Sequence, residues 1–259
     1  MPGEPTPPPA PRRPGLRGRL RRLGGEALDE LRREESIAAL LVTTILVTRH
    51  ALGTEAGQEA LLGLWTALSR GVSGLFHHGV FRRQLVAITL QLVLPLLFVG
   101  LVHRRPLARY GLGAGDVRFW LPLTAAVFVV QVLVVALVLA QSPTYTGRYP
   151  TLSVARAGGT AFWVWESSRV VYMIGWEFLF RGYLMFALMR RMGLHATVVQ
   201  TIPFVLMHIA SRKPVSEIYF TVLSGTASGL FVAECRSIWP VVWLHAAGAV
   251  LLDILIVYG

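Results

Sequence analysis

Two ionisable side chains stand in the stretch GWEFLFRGYL, residues 175–184, inside an otherwise apolar run. Glu177 and Arg181 are four residues apart, so on a helix they project from nearly the same face. In lipid, a paired glutamate and arginine cost far less than either charge alone. The spacing therefore predicts either a buried ion pair that only fixes helix packing or the acidic part of a chemical site.

Two histidines in later apolar segments extend this candidate site. His208 ends the stretch TIPFVLMH, and His245 lies within SIWPVVWLHAAGAVLLD. A histidine among Trp, Val, Leu and Ala finds no water, so we expect His245 to face a polar interior. His208 also suits an interfacial hydrogen-bonding role, which stays open as an alternative. If their helices converge with Glu177, a carboxylate and two imidazoles surround one hydrated pocket and can activate water.

The same residue types suit two other kinds of site. His and Glu are ordinary zinc ligands, so zinc at Glu177, His208 and His245 is one alternative. The sequence requires no cofactor, however, and it contains no H-E-x-x-H helix pair. Buried Glu and His side chains also move protons in transporters, which makes a proton-coupled transporter the other alternative.

Further ionisable residues accompany these groups: Glu166, Arg169, Glu217 and Asp253. Ionisable residues inside membrane segments usually face a cavity or a partner and mark function. Arg169 follows Glu166 by three residues, which predicts a second ion pair on the same helix. We therefore expect the chemistry in the C-terminal half of the chain.

The elements that must position these groups have the composition of membrane spans. Of 259 residues, 54% are hydrophobic and 15% are charged, against about a quarter charged in soluble domains. Apolar segments suited to crossing roughly 30 Å of hydrocarbon are 36–53, 84–103, 120–140, 163–190, 195–210, 217–234 and 238–257. Residues 59–76 have an amphipathic pattern that favours an interfacial helix. The predicted fold is an all-α polytopic bundle of about seven spans.

The pattern divides the chain into three regions. Residues 1–35 are a basic, proline-rich arm that we expect to be disordered or interfacial. Residues 36–140 hold nearly pure hydrocarbon spans that serve as scaffold, and residues 141–259 hold the catalytic core. Cys235 is the single cysteine, which excludes an intrachain disulfide.

The net charge of +11 comes almost wholly from arginine. These arginines cluster between apolar runs, which is typical of membrane topology and contact with anionic lipid headgroups, not of nucleic-acid binding. With seven spans, the N-terminal arm, the 104–118 loop, Arg190, Arg191 and Arg236 fall on one side. The positive-inside rule therefore predicts an integral membrane protein whose N-terminus is cytoplasmic.

Several stretches together resemble the CPBP family of intramembrane proteases, which includes CAAX prenyl endopeptidases of the Rce type and bacterial Abi-like proteins. The family motif E-E-x-x-x-R, usually continuing as F-R-G, is matched by W-E-F-L-F-R-G from Trp176. Its F-x-x-x-H motif is matched by Phe204 and His208, and its third motif by S-I-W-P and His245. The loop G-L-G-A-G-D-V-R-F-W is also similar, so the resemblance covers roughly residues 105–255.

The resemblance implies an endopeptidase with a CPBP/Rce-type core in the bacterial inner membrane. It would cleave a membrane-associated protein, by CAAX-type or C-terminal tail processing, and its partners would be this substrate and membrane lipids. Carried over by motif, Glu177 is the general base or orients it, and His208 holds the water. His245 stabilises the oxyanion, and Arg181 fixes Glu177. Whether the enzyme is of the metalloendopeptidase or the glutamic type stays open.

Two positions depart from the family pattern. Trp176 replaces the first glutamate, which in the family is thought to work with the F-x-x-x-H histidine in activating water, and Ala249 replaces an asparagine. Glu177 then takes over that role with His208, or the chain is an inactive relative that acts as a membrane binding or immunity protein.

Other carboxylates offer a further alternative to these two. Glu166 or Glu217 supplies the missing carboxylate from elsewhere in the bundle. Asp253 lies one helical turn beyond Ala249 on the same face. It is therefore a candidate to replace part of the missing amide.

Overall fold

The computed structural model describes residues 26, 29, 30, 33–52, 54, 57 and 78–259. The predicted amphipathic helix at 59–76 and nearly all of the 1–35 arm lie outside the described residues.

Seven long helices form the described part of the chain, which contains no β-strand. They are α1 (Glu34–Leu52), α2 (Gly79–His103), α3 (Val117–Leu139), α4 (Gly159–Met192), α5 (His195–Ala210), α6 (Val215–Cys235) and α7 (Trp239–Tyr258). Each helix coincides with one predicted apolar segment to within about five residues. The prediction of an all-α polytopic bundle is therefore confirmed.

The number of full-length spans is six and not seven among the described residues. The exception is α5, whose 16 residues extend about 24 Å at 1.5 Å per residue, short of a roughly 30 Å hydrocarbon core. It nevertheless returns the chain between α4 and α6 and packs along α6.

The central helix of the bundle is α4. In the most apolar part of α4, 72% of the residues are buried, against 11% in the corresponding part of α3. The helix packs against α1, α2, α5 and α7. Four of its ionisable residues, Glu166, Arg169, Glu177 and Arg181, are buried. By contrast, α3 turns many Val and Leu side chains outward, as a helix that faces lipid would. The buried charged residues of α4 thus contrast with the outward-facing apolar residues of α3.

A π-helical segment, Phe178–Leu184, interrupts α4 directly after Glu177. Such segments occur frequently at functional sites, because the extra residue in the turn re-aims the side chains. Gly182 lies within it. A Cβ atom at this position would stand 2.9 Å from the carbonyl oxygen of Tyr110 and 2.6 Å from the Phe178 ring. Only glycine therefore allows the loop before α3 to approach this part of α4 so closely.

Candidate active site

Glu177 is at the centre of a buried group of charged and polar side chains. One carboxylate oxygen, Oε2, accepts a hydrogen bond from Nη1 of Arg181, and Oε1 lies 2.7 Å from Nδ1 of His245. A carboxylate can only accept, so Nδ1 of a neutral His245 carries the proton and its Nε2 keeps a free lone pair. Both carboxylate oxygens are thus engaged, and Glu177 orients the imidazole.

His208 is held in the same tautomer by a backbone group. Its Nδ1 lies 2.9 Å from the carbonyl oxygen of Phe204. Because that carbonyl only accepts, the proton lies on Nδ1 and Nε2 is again the free acceptor. The imidazole packs against the rings of Phe204 and Trp176, with centroids 4.8 and 5.4 Å away.

Three helices, α4, α5 and α7, therefore bring the predicted Glu177, His208 and His245 into one region. Among the described side chains, however, no hydrogen bond joins Glu177 directly to His208. The link between them is Trp176, the chain neighbour of Glu177.

Trp176 fills the position where the CPBP motif has its first glutamate. Its ring contacts Phe180, Phe204 and His208, with centroid distances of 5.3 to 5.7 Å. On another side, Cζ of Arg49 lies 5.0 Å from the ring centroid, within the range of a cation–π contact. The group beside His208 is therefore an aromatic ring that cannot accept a proton from water.

A second polar contact joins α4 to α7. Arg169 donates to Asp253, and its Nη1 also lies 3.3 Å from Glu166, as predicted for that i,i+3 pair. Arg169 precedes Glu177 by eight residues, and Asp253 follows His245 by eight. Because α4 and α7 run antiparallel, the Arg169–Asp253 and Glu177–His245 contacts lie about 12 Å apart along the two helices.

The contacts of Arg169 show where two of the predicted carboxylates, Glu166 and Asp253, lie. Glu166 and Asp253 hold Arg169, about two helical turns from Glu177, and neither contacts His208. The structure therefore places Asp253 in the contact with Arg169 and not beside the Glu177–His245 pair. Equal spacing on α4 and α7 was the sequence signal for this contact, but it becomes informative only once the two helices are known to be neighbours.

Glu217 lies near the start of α6 and has partners of its own. Its Oε1 is 2.7 Å from Nζ of Lys213, and its Oε2 accepts from the Tyr149 hydroxyl at 3.2 Å. Burial opposes the charged form of Lys213, but Tyr149 and Glu217 outweigh it and raise the pKa of Lys213 above its usual value. Glu217 is near enough to act electrostatically on His208, although its hydrogen bonds go elsewhere.

The predicted zinc site lacks a fitting set of ligands. Within the described ranges, no three His, Cys, Asp or Glu side chains converge as metal ligands would. Both oxygens of Glu177 are also occupied by Arg181 and His245.

A comparison with protein families matches residues 158–251 to the type II CAAX prenyl endopeptidase Rce1-like family. This segment reaches from the residue before α4 into α7, so it contains Glu177, His208 and His245. No curated protein and no solved structure matches the chain. Over residues 158–251 the chain is thus Rce1-like, which confirms the CPBP-type resemblance drawn from its motifs.

Proposed function

We propose that this chain is an intramembrane endopeptidase that hydrolyses a peptide bond near the C-terminus, or within the membrane segment, of a membrane-anchored protein. One observation carries the proposal: inside the Rce1-like segment, a buried carboxylate hydrogen-bonds an imidazole whose other nitrogen is free, with a second such imidazole nearby. An orienting carboxylate and a free imidazole nitrogen are the parts that general-base catalysis needs.

In this mechanism His245 is the base and Glu177 orients it. Water donates one hydrogen bond to Nε2 of His245 and the other to Nε2 of His208, which leaves its oxygen lone pairs free to attack the substrate carbonyl carbon. The water proton moves to Nε2 of His245 as the new C–O bond forms. The resulting imidazolium is stabilised by Glu177 and offers positive charge to the tetrahedral oxyanion.

The second half of the reaction returns the proton. As the C–N bond breaks, Nε2 of His245 protonates the leaving amine, and the products are a carboxylic acid and an amine. Arg181 keeps Glu177 ionised and fixed throughout. Of the two roles left open for Glu177, base or orienter, its fully engaged oxygens favour the orienter.

Substitution of Glu177 tests this proposal directly. Glu177→Gln removes the charge that stabilises the imidazolium and should lower the rate of peptide cleavage by several orders of magnitude, as should His245→Ala. The assay follows the release of C-terminal fragments from prenylated and unprenylated reporter peptides by purified protein in liposomes. Glu166→Gln is the matched control, because it removes a buried carboxylate of the same helix that does not contact His245. Cleavage by Glu177→Gln at the wild-type rate would refute the mechanism.

The departures at Trp176 and Ala249 favour a second candidate, a membrane binding or immunity protein without activity. Such a protein would give no product even as wild type, and its peptide binding would survive Glu177→Gln or His208→Ala. Peptide binding and cleavage measured on the same preparations separate the two functions.

Six long apolar helices make the chain an integral membrane protein. We propose that its N-terminus is cytoplasmic, in a bacterial inner membrane. The face formed by the ends of α2 and α4 is rich in arginine, but the opposite face also carries basic residues, among them Arg83, Arg212 and Lys213. The orientation is therefore supported by the eight arginines of residues 1–35, which add to the arginines at the ends of α2 and α4. In intact cells an impermeant maleimide should label Gln141→Cys but not Arg105→Cys, and the reverse pattern would invert the topology.

A further inference from the structure

A cavity of about 670 Å³ opens at the face of the bundle opposite these arginine-rich loops. Its walls come from the end of α1, the first turns of α2, the loop at 148–151, the first half of α4 and the end of α5. Glu177, His208 and His245 are not among the lining residues, although the cavity adjoins the candidate active site through Met207 and Arg49. The ends of helices that span a bilayer are expected where its hydrocarbon meets its headgroups.

The described residues that line the cavity carry more positive than negative charge. They include no Asp or Glu but six cationic side chains: Arg49, Arg83, Arg148, Arg169, Arg212 and Lys213. Carboxylates neutralise two of them, since Arg169 pairs with Asp253 and Lys213 with Glu217. For the other four, no carboxylate of the described residues lies within ion-pair distance. The positive charge of these four arginines therefore favours the binding of an anion.

Arg49 gives the most specific sign of a missing acceptor. Its Nη2 donates to the Tyr172 hydroxyl at 2.7 Å, and its guanidinium lies 5.4 Å from the Tyr172 ring centroid and 5.0 Å from that of Trp176. Its Nη1 is buried and has no hydrogen-bond partner in the described structure. A buried donor without an acceptor is costly and rare, so this N–H points to an acceptor that a ligand brings.

Part of the remaining wall is apolar, which narrows the class of ligand. Trp165, Met173, Met207, Val86 and Ala87 line the cavity together with the cations. A free inorganic anion gains nothing from apolar side chains. An anion attached to an acyl chain can contact the cationic side chains with its charge and the apolar side chains with its chain.

We propose that this cavity binds an anionic phospholipid, with the headgroup phosphate among Arg49, Arg83, Arg148 and Arg212 and the start of an acyl chain against Met173 and Met207. Basic pockets between transmembrane helices bind anionic headgroups in this way. The carboxylate of a peptide C-terminus has related chemistry, but the position at the ends of several spans favours a lipid of the surrounding leaflet. The proposal does not depend on the proposed peptidase function.

Lipid retention in nanodiscs tests the proposal. The probes are phosphatidylglycerol and phosphatidylcholine. Native mass spectrometry of the full chain counts the lipid molecules that stay bound after the protein is released from the nanodisc. The test variant, Arg83→Gln with Arg212→Gln, removes two exposed arginines of the cavity. The control, Arg105→Gln with Arg118→Gln, removes two exposed arginines of the opposite face.

We expect wild type and control to retain one phosphatidylglycerol each and no phosphatidylcholine. Affinity should fall about fivefold per arginine, and about 25-fold in the double variant. Equal retention by the two double variants, or equal retention of both lipids, would overturn the proposal. Displacement of the lipid by millimolar inorganic phosphate would also overturn it, because the ligand would then be a free anion. Displacement by a peptide that requires a free C-terminal carboxylate would overturn it as well, because the ligand would then be a peptide.

Discussion

The buried pair Glu177–Arg181 should show strong energetic coupling, which a double-mutant cycle measures. Both side chains are about 98% buried, so replacing one leaves the other as an uncompensated charge in a medium of low dielectric constant. Breaking a buried pair in this way costs about 3–5 kcal/mol. We expect a loss of that size in the free energy of unfolding for Glu177→Gln and for Arg181→Met.

The double variant should be less destabilised than the sum of the two single variants. With both charges removed, no ion is left unpaired, although His245 and the Phe204 ring, which lies 4.3 Å from Cζ of Arg181, lose a neighbour. A coupling energy of at least about 2 kcal/mol is expected, within the range for residues in one network. Reversible unfolding in mixed micelles, followed by tryptophan fluorescence, measures all four proteins.

The second contact between α4 and α7 supplies the control for this cycle. Asp253→Asn breaks the Arg169 pair, about 12 Å from Glu177. Combined with Glu177→Gln, its effect should be additive to within about 0.5 kcal/mol, because distant sites without shared partners are independent. Additive behaviour of Glu177 and Arg181, or strong coupling of Glu177 with Asp253, would refute the assignment of two separate polar contacts.

Two further predictions concern backbone approach and surface charge. Gly182→Ala should lower the free energy of unfolding by about 1–3 kcal/mol, because its Cβ would meet the Tyr110 carbonyl. Gly100→Ala places its Cβ in open space and should be nearly neutral in the same micelle unfolding assay. Since the pKa of Lys213 is raised in the fold, its pair with Glu217 should contribute stability fully below the unfolded pKa of about 10.4. That contribution should be lost as pH rises through the folded pKa, so wild type should lose more stability at alkaline pH than Glu217→Gln does; equal losses would contradict the pairing.

Local patterns predicted the helices and the ion pairs within a helix, because both follow from spacing along the chain. The seven apolar segments became α1 to α7, Glu177 pairs with Arg181, and Glu166 pairs with Arg169. Contacts between helices were harder to predict, since they depend on the rotation and relative height of two helices. The pairing of Arg169 with Asp253 is of this kind. The sequence also gave no reason to connect Arg49 of α1 with Trp176 of α4.

Trp176, which stands in the place of the first motif glutamate, is compatible with a mechanism in which Glu177 acts through His245. A ring at position 176 keeps the surroundings of His208 apolar and, unlike a carboxylate, does not compete for the protons of water. Glu217, the carboxylate that acts electrostatically on His208, directs its hydrogen bonds to Lys213 and Tyr149. In the proposed mechanism, the negative charge that supports proton transfer therefore reaches the site through the other histidine. His245 receives it, because Glu177 commits one oxygen to Arg181 and the other to His245 Nδ1. The proposed mechanism predicts that peptide cleavage in the liposome assay depends on the charge of Glu177 and tolerates an aromatic replacement such as Trp176→Phe.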